Sequence, residues 1–478
     1  METVTTAGRL DGSGAAVDTQ ALEELRGSLG EQLVSPDDSA YDQARRVWNG
    51  MIDRRPALIV RCRGVADVVA AVRFARTHQL PLAVRGGGHN VAGFGTCDGG
   101  VVVDLSPMRG VRVAAAARTA WAAGGATWAD LDRETQLFGL AAPGGVVSTT
   151  GIAGLTLGGG QGWLRRTYGM ACDSLVSADV VTADGEVVTA SDRENADLFW
   201  ALRGGGGNFG VVTSFEYHLH PVGPMVAFAG PVYPLESLVR VIGEMRRFAA
   251  DAPDEVNVSA TLWTIPTVDA FPAELHGRAV VIVGAIYVGA PDHGERMLQP
   301  LREIEPPLLD LSGVVPYTAL QQMFDPFFPP GQDHYWKSTY LADLGDDAVR
   351  IVAAHAASRP SPMSMIGLWA LGGTFARVDA TATASGARNA PYVFEILANW
   401  TDPNQAAANI GWARQLFDDM TTFSTGKANF NFPGLGDDPN FARSALGDNW
   451  DRLVDVKREY DPTNFFRLNQ NIDPTTAT

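Results

Sequence analysis

Three glycine clusters between Gly86 and Gly210 constrain this chain more than any other feature. The first, Arg85-Gly86-Gly87-Gly88-His89-Asn90, closes a strand-like run, Leu80-Pro81-Leu82-Ala83-Val84-Arg85, and a second strand, Val101-Val102-Val103-Asp104-Leu105, follows it. The second extends from Gly144-Gly145-Val146-Val147-Ser148-Thr149-Thr150-Gly151-Ile152-Ala153-Gly154 to Gly158-Gly159-Gly160-Gln161-Gly162, and the third is Gly204-Gly205-Gly206-Gly207-Asn208-Phe209-Gly210. Without a Cβ, the backbone can pass close to a bulky ligand, and a histidine directly after three glycines is delivered to that ligand. Neither later cluster is a G-x-G-x-x-G turn between a strand and a helix, so a Rossmann nucleotide site has little support. Three sets of exposed amides suit a pyrophosphate instead. One such loop reads equally well as a turn with an incidental surface histidine; three together favour a large ligand.

The 478 residues suffice for two or three domains or one large two-domain enzyme. With 46% hydrophobic and 19% charged residues, the composition is that of a globular protein. A net charge of −17 disfavours nucleic acid and anionic membrane as partners. Three cysteines, Cys62, Cys97 and Cys172, are too few for a disulfide framework and lack zinc spacing. Neither a secretory signal nor a membrane-length apolar run is legible, so a cytoplasmic protein is expected, with residues 1 to about 16 disordered.

Helices are expected over 20–30 and 65–79, the second with Val65, Val68, Val69, Val72, Phe74 and Ala75 on one face. Residues 101–160 read as short strands with a helix near Trp128–Phe138. Leu175–Thr182 and Glu186–Thr189 form a hairpin around Ala183-Asp184-Gly185. A helix at 194–203 and a strand at Gly210–His218 follow. After Pro221-Val222-Gly223-Pro224, strands such as Ala279–Val288, Met365–Leu371 and Tyr392–Trp400 alternate with helices in what reads as a second α+β unit on one sheet. The tail from Asn449 to Ile472 reads as a helix and a loop.

The run Tyr392-Val393-Phe394-Glu395-Ile396-Leu397-Ala398-Asn399-Trp400 carries one carboxylate in the middle of an apolar strand. A buried carboxylate without a partner has a raised pKa, which makes a general base or acid near neutrality. The alternative is that Glu395 points to solvent from a half-exposed sheet. Alternation places Val393 and Leu397 on the side of Glu395. His218, His220, His334 and His355 have no metal spacing, and no Gly-x-Ser-x-Gly elbow supports serine hydrolysis.

Taken together, the RGGGHN segment, Gly158–Gly162 with Tyr168-Gly169, Leu198–Gly204 with Asn208-Phe209-Gly210, and Tyr460-Asp461-Pro462-Thr463-Asn464-Phe465-Phe466-Arg467-Leu468-Asn469-Gln470-Asn471-Ile472 make the chain recognisable. From about residue 40 it resembles the berberine-bridge-enzyme-like flavoproteins of the vanillyl-alcohol-oxidase superfamily. The resemblance implies an α+β fold. A two-part, PCMH-type FAD-binding domain would be interrupted by a substrate domain with one antiparallel sheet covered by helices. The boundaries expected are an N-terminal extension over 1–39, the FAD-binding domain over 40–222, the substrate domain over 223–425, and a returning C-terminal segment over 426–478.

The resemblance also implies FAD bonded covalently through His89. In many relatives a cysteine makes a second bond; Val147 holds that position in Gly145-Val146-Val147-Ser148. A single link is therefore expected, with Cys97 and Cys172 as packing residues. Cofactor contacts are expected from Arg85, Gly86, Gly87, Gly88, His89, Asn90, Gly93, Gly145, Val147, Thr150, Gly151, Gly154, Gly159, Gly160, Gly162, Gly210, Val211, Val212, Asn469 and Asn471. Thr150, close in shape to valine, falls where relatives gate O2 and favours its access.

In similar enzymes the residue at Glu395 faces the flavin as a base, so Glu395 is the catalytic candidate. Substrate-pocket candidates are Gln161, Trp369, Val393, Asn429 and Asn431; Lys337 is read as a solvated lysine at a strand end. The expected activity is FAD-dependent oxidation of a small molecule at a C–H beside an alcohol, amine or phenolic group, with O2 as acceptor and hydrogen peroxide as product. Rival readings are a flavin dehydrogenase, an oxidative cyclase and a non-catalytic flavin-binding protein.

Overall fold

The computed structural model describes residues 6–8, 14–16, 18–435 and 440–476. The expected disordered start lies largely outside the described residues; within it, Thr6–Gly8 and Gly14–Ala16 pair antiparallel.

Val101–Asp104 forms the centre of the first sheet because all four residues are apolar or paired and fully buried. Leu58–Arg61 and Leu82–Arg85 flank it, both parallel to it, and Leu33–Val34 closes one edge antiparallel. Parallel strands of this kind need cover on their faces. Helix Val65–Thr77 supplies it with Val68, Val72, Phe74 and Ala75 of the expected face and with Ala71, which the expectation lacked, while the expected Val65 and Val69 are half-buried. Leu82–Arg85 then runs straight into the first glycine cluster.

A second, five-stranded antiparallel sheet has the order Val187–Ser191, Leu175–Val181, Val211–His218, Thr119–Ala123, Val111–Ala114. The second glycine cluster departs from the reading of strands and turns: Ile152–Leu157 is a short helix. Gly154 lies inside it, and a Cβ there would meet nothing within 4 Å.

The third sheet is antiparallel and nine-stranded. It runs Leu309–Asp310, Pro231–Pro234, Ala279–Tyr287, Val256–Thr264, Met365–Ala370, Tyr392–Trp400, Asp333–Leu341, with Met225–Ala229 and Gly313–Pro316 attached beside Ala279–Tyr287. Helices Leu238–Asp251, Asp346–Ala357 and Ala406–Met420 cover one face, packing Phe394, Ile396, Ala398 and Trp400 into the largest core. The strand's period of two leaves Val393, Glu395 and Leu397 on the opposite face, where a cleft opens.

Helix Trp450–Tyr460 packs back onto Ala196–Leu202. Its Lys457 is fully buried and donates to Asp461 Oδ2 at 2.7 Å, the Asn208 carbonyl at 2.7 Å and the Phe466 carbonyl at 2.9 Å. Asp461 in turn accepts from the Phe465 and Phe466 amides. Every member of this buried charge pair has partners, which offsets the loss of water. The result fixes the loop after residue 461 against the third glycine cluster.

Candidate active site

The cleft lies between the first two sheets and the open face of the third. All three glycine clusters reach it. Gly87 and Gly151 make the close approach of two loops possible. A Cβ on Gly87 would stand 2.6 Å from the Gly151 Cα, and one on Gly151 would stand 2.8 Å from the Gly87 Cα.

Along this rim the backbone N–H groups of Gly87, Gly88, His89 and Asn90 find no acceptor among the described residues. These residues are half-buried and line the cleft, and a consecutive row of unpaired amides facing such a space is a nest for an anion. Arg85 does not add its charge freely: its guanidinium pairs with buried Asp104 at 2.8 Å and bonds the Arg46 carbonyl. Across the cleft, Asn469 donates to the Gly207 and Phe466 carbonyls, while its Oδ1 is buried without a partner. The amide row fits a pyrophosphate and the orphaned Asn469 oxygen fits a ligand donor, so these residues suit an FAD.

His89 borders the cleft beside this row. Its Nε2 is 3.2 Å from Thr149 Oγ1 and its Nδ1 is 3.4 Å from Thr150 Oγ1. Burial, with a smaller contribution from His334, pulls its pKa down to about 3, so the ring is neutral at physiological pH.

Glu395 sits on the sheet side. Burial raises its pKa from 4.5 to about 7, against a smaller opposite pull from Trp369 and Arg165. Trp369 Nε1 donates to Glu395 Oε2 at 2.9 Å. Gly367 stands across from Glu395 in the neighbouring strand, and a Cβ there would press on the Trp369 Nε1 at 3.0 Å and the carboxylate at 3.1 Å. Arg165, itself buried, lies 4.7 Å from the Trp369 ring centre and spends its donors on the carbonyls of Ala370, Gly162 and Val258. It is a cation with no carboxylate in contact among the described residues, placed to favour ionised Glu395 from behind the indole.

Trp48, Phe324, Phe328, Trp336 and Phe432 make much of the remaining wall aromatic, with Thr261, Met365 and Leu397 between them. Gln161 donates to the Tyr340 hydroxyl, and Asn429 Oδ1 accepts from the Asn431 amide at 3.2 Å.

The cleft thus gathers Glu395, Arg85, Gly86, Gly87, Gly88, His89, Asn90, Gly145, Val147, Thr150, Gly151, Gly154, Gly162, Gly210, Val212 and Asn469, with Gln161, Trp369, Val393, Asn429 and Asn431. Five expected residues do not line it. Gly93 packs on Ile52, Gly159 on Met170, and Gly160 on Leu155 and Ala171; Val211 is fully buried in the core of the first sheet, and Asn471 lies outside the lining.

Lys337 is in mid-strand rather than at a strand end, and its Nζ sits 4.5 Å from the Phe417 ring centre on the helix-covered side. Cys97 and Cys172 are buried free thiols whose burial raises their pKa, Cys97 to about 12. Trp48, His334, Arg165 and Gly367 were not foreseen: their importance arises from partners far away in the chain.

Residues 56–191 match the model of the FAD binding domain family, and residues 427–473 match the berberine and berberine-like family. An uncharacterized FAD-linked oxidoreductase of Bacillus subtilis is 31% identical over 453 residues, 93% of this chain and 97% of its own length. The (R)-6-hydroxynicotine oxidase of Paenarthrobacter nicotinovorans is 32% identical over 459 residues, 94% of this chain and 97% of its own. The crystal structure of 6-hydroxy-D-nicotine oxidase from Arthrobacter nicotinovorans superposes with a TM-score of 0.83 at 29% identity, covering 93% of this chain and 98% of that one. Among the described residues, no helix is long and apolar enough to cross a membrane.

Proposed function

This chain belongs to the FAD-linked oxidoreductases with a berberine-like C-terminal segment, and on that premise we propose that it is an oxidase. It would carry FAD on a single bond to His89, use Glu395 as its base, pass electrons to O2 and release hydrogen peroxide. The observation that carries this reading is the shared cleft. A carboxyl with a pKa of about 7 lines the same space as a neutral imidazole and a row of unpaired amides.

Bound FAD supplies a two-electron acceptor for a hydride leaving carbon. The chain's residues prepare the substrate for that loss. Gly87, Gly88, His89 and Asn90 hold the anionic part of the cofactor through backbone N–H groups. The neutral His89 ring offers an in-plane lone pair for attachment. Val147, in place of a cysteine, offers no second link.

Glu395 accepts the proton of a substrate O–H or N–H at one of its carboxylate oxygens, so that positive charge does not accumulate as the hydride departs. Trp369 holds the other oxygen by its 2.9 Å bond. The aromatic walls favour a compact, apolar or aromatic substrate. A relative named for 6-hydroxynicotine supports that substrate class.

Thr150 lines the cleft next to His89 with a small β-branched side chain, which supports access of O2. The test is a screen of aromatic alcohols, amines and phenols for peroxide release in air, with stopped-flow reoxidation of the reduced protein. Rapid reoxidation with one peroxide per substrate turned over is expected. Slow reoxidation in air, with turnover restored by an artificial acceptor, would make the protein a dehydrogenase.

A further inference from the structure

We propose that Trp48 is a positioning residue for flavin attachment: its indole, backed by the His334–Asn399 pair, fixes the plane in which His89 meets the cofactor. This rests on His89 being the attachment site. The Trp48 and His89 rings stack with centres 4.8 Å apart and planes 15° apart. The same indole stacks on His334 at 3.8 Å and 5°.

Trp48 is itself held at several points. Its amide donates to the Gly88 carbonyl at 3.1 Å, and its Nε1 donates to the Phe328 carbonyl at 2.9 Å. The next residue, Asn49, donates to the Val91 carbonyl at 2.7 Å and the His334 carbonyl at 2.9 Å, and accepts from the His334 amide at 3.1 Å. Residues 48 and 49 therefore tie the His89 loop to the strand Asp333–Leu341.

The bonding around Asn399 determines which nitrogen of His334 carries hydrogen. Asn399 Nδ2 donates to the Met363 carbonyl, and Asn399 Oδ1 accepts from Trp336 Nε1 at 2.7 Å. Oδ1 is thus an acceptor, and His334 Nδ1, 2.7 Å away, must be the donor. Burial lowers the His334 pKa to about 4, so the ring is neutral, with Nε2 bare and unpartnered. Trp48 and His334 thus present His89 with a rigid, uncharged stack.

The geometric consequence follows from the chemistry of imidazole. Its nucleophilic lone pair lies in the ring plane, so the bond from nitrogen to a flavin methyl carbon would form edge-on; the methyl group and the imidazole each give up one hydrogen, and the two electrons pass through the flavin to O2, the acceptor proposed above, which leaves as hydrogen peroxide. An indole against the face of His89 prevents the ring from tumbling, while Thr149 and Thr150 contact its two nitrogens. Setting the plane therefore sets the line of approach, and a misplacement of about 1 Å at such a centre can cost about 100-fold in rate.

The test compares Trp48→Phe with Trp48→Leu in the purified full-length protein. Both lose the Nε1 bond to Phe328, so the difference between them reports the aromatic ring alone. Total flavin is measured by absorbance and covalent flavin by its retention in acid-precipitated protein. The variants are then incubated with excess FAD and sampled over time.

Trp48→Phe should match the parent. Trp48→Leu should bind FAD but release most of it into acid, with covalent incorporation about 10- to 100-fold slower. If Trp48→Leu does not fold, Trp48→Met, a flexible apolar side chain of longer reach, takes its place in the comparison. Equal covalent fractions and rates in the aromatic and aliphatic variants would overturn the proposal. Acid release of flavin from the unaltered protein would instead sink the attachment itself, and this inference with it.

Discussion

Glu395→Gln separates the base role from all others, because the amide keeps an oxygen for the Trp369 donor and changes little else. With a pKa of about 7, half of the Glu395 side chains are ionised at pH 7, and about one tenth at pH 6. If the carboxylate takes the substrate proton, flavin reduction in the unaltered protein slows about tenfold per pH unit on the acid side of 7. The variant has no carboxylate to titrate. Its reduction rate should lose that acid limb and fall by about 10² to 10⁴, which is about 3–5 kcal/mol on the barrier. The assay is anaerobic stopped-flow reduction between pH 5.5 and 8.5, with the best substrate from the peroxide screen. Choosing a substrate that does not titrate in this range assigns the limb to the protein. Survival of the limb in Glu395→Gln, or a rate within a few-fold of the parent, would refute the reasoning.

The same carboxyl affects stability with the opposite sign. Its folded pKa lies above 4.5, so the stability it contributes is fully present below pH 4.5 and is lost as pH rises through about 7. The carboxyl borders the open cleft, where hydration relieves part of the penalty. Glu395→Gln should therefore be more resistant to urea than the parent at pH 8, by about 1–3 kcal/mol, with the difference shrinking towards pH 5; equal resistance at pH 8 would contradict a buried acid here. Trp369→Phe removes a donor that favours the carboxylate, so the acid limb should move to higher pH; a limb that stays in place or moves down would show that the indole does not set this pKa. Gly87→Ala forces the first two glycine loops apart, at about 1–3 kcal/mol, and should lower the flavin-to-protein absorbance ratio; full flavin content would mean that the close approach is dispensable.

Local patterns made much of this legible in the sequence. Tyr392–Trp400 is the expected strand to the residue, and alternation alone placed Val393 and Leu397 beside Glu395. A lone acid in an apolar strand can face either side of a sheet; here the helices cover the other face, and the cleft receives the carboxyl. The glycine clusters pointed to a ligand but did not say which glycines face it. Gly87 and Gly151 let two loops touch beside the cleft, whereas Gly159 and Gly160 make room for Met170, Leu155 and Ala171.

The helix Ile152–Leu157 was hidden because Gly151 and Gly154 read as breakers. Gly154 remains helical with its Cα exposed to the cleft, into which a side chain there would project. Lys337 was assigned by residue type rather than by alternation; its cross-strand partner is Ile396, a core residue on the helix-covered face. The stack of Trp48 with His89 and His334 had no local signal, since its members come from three distant segments and meet only when the third sheet closes over the cleft.

The most direct test of the account is peptide mapping of the purified protein by mass spectrometry. Trypsin should cut after Arg85 and Arg109, releasing residues 86–109 with His89 inside. The account predicts that this peptide, and no other, carries flavin, with fragmentation placing it on His89. Flavin on a different peptide, or an unmodified 86–109 from protein that is yellow before digestion, would contradict it.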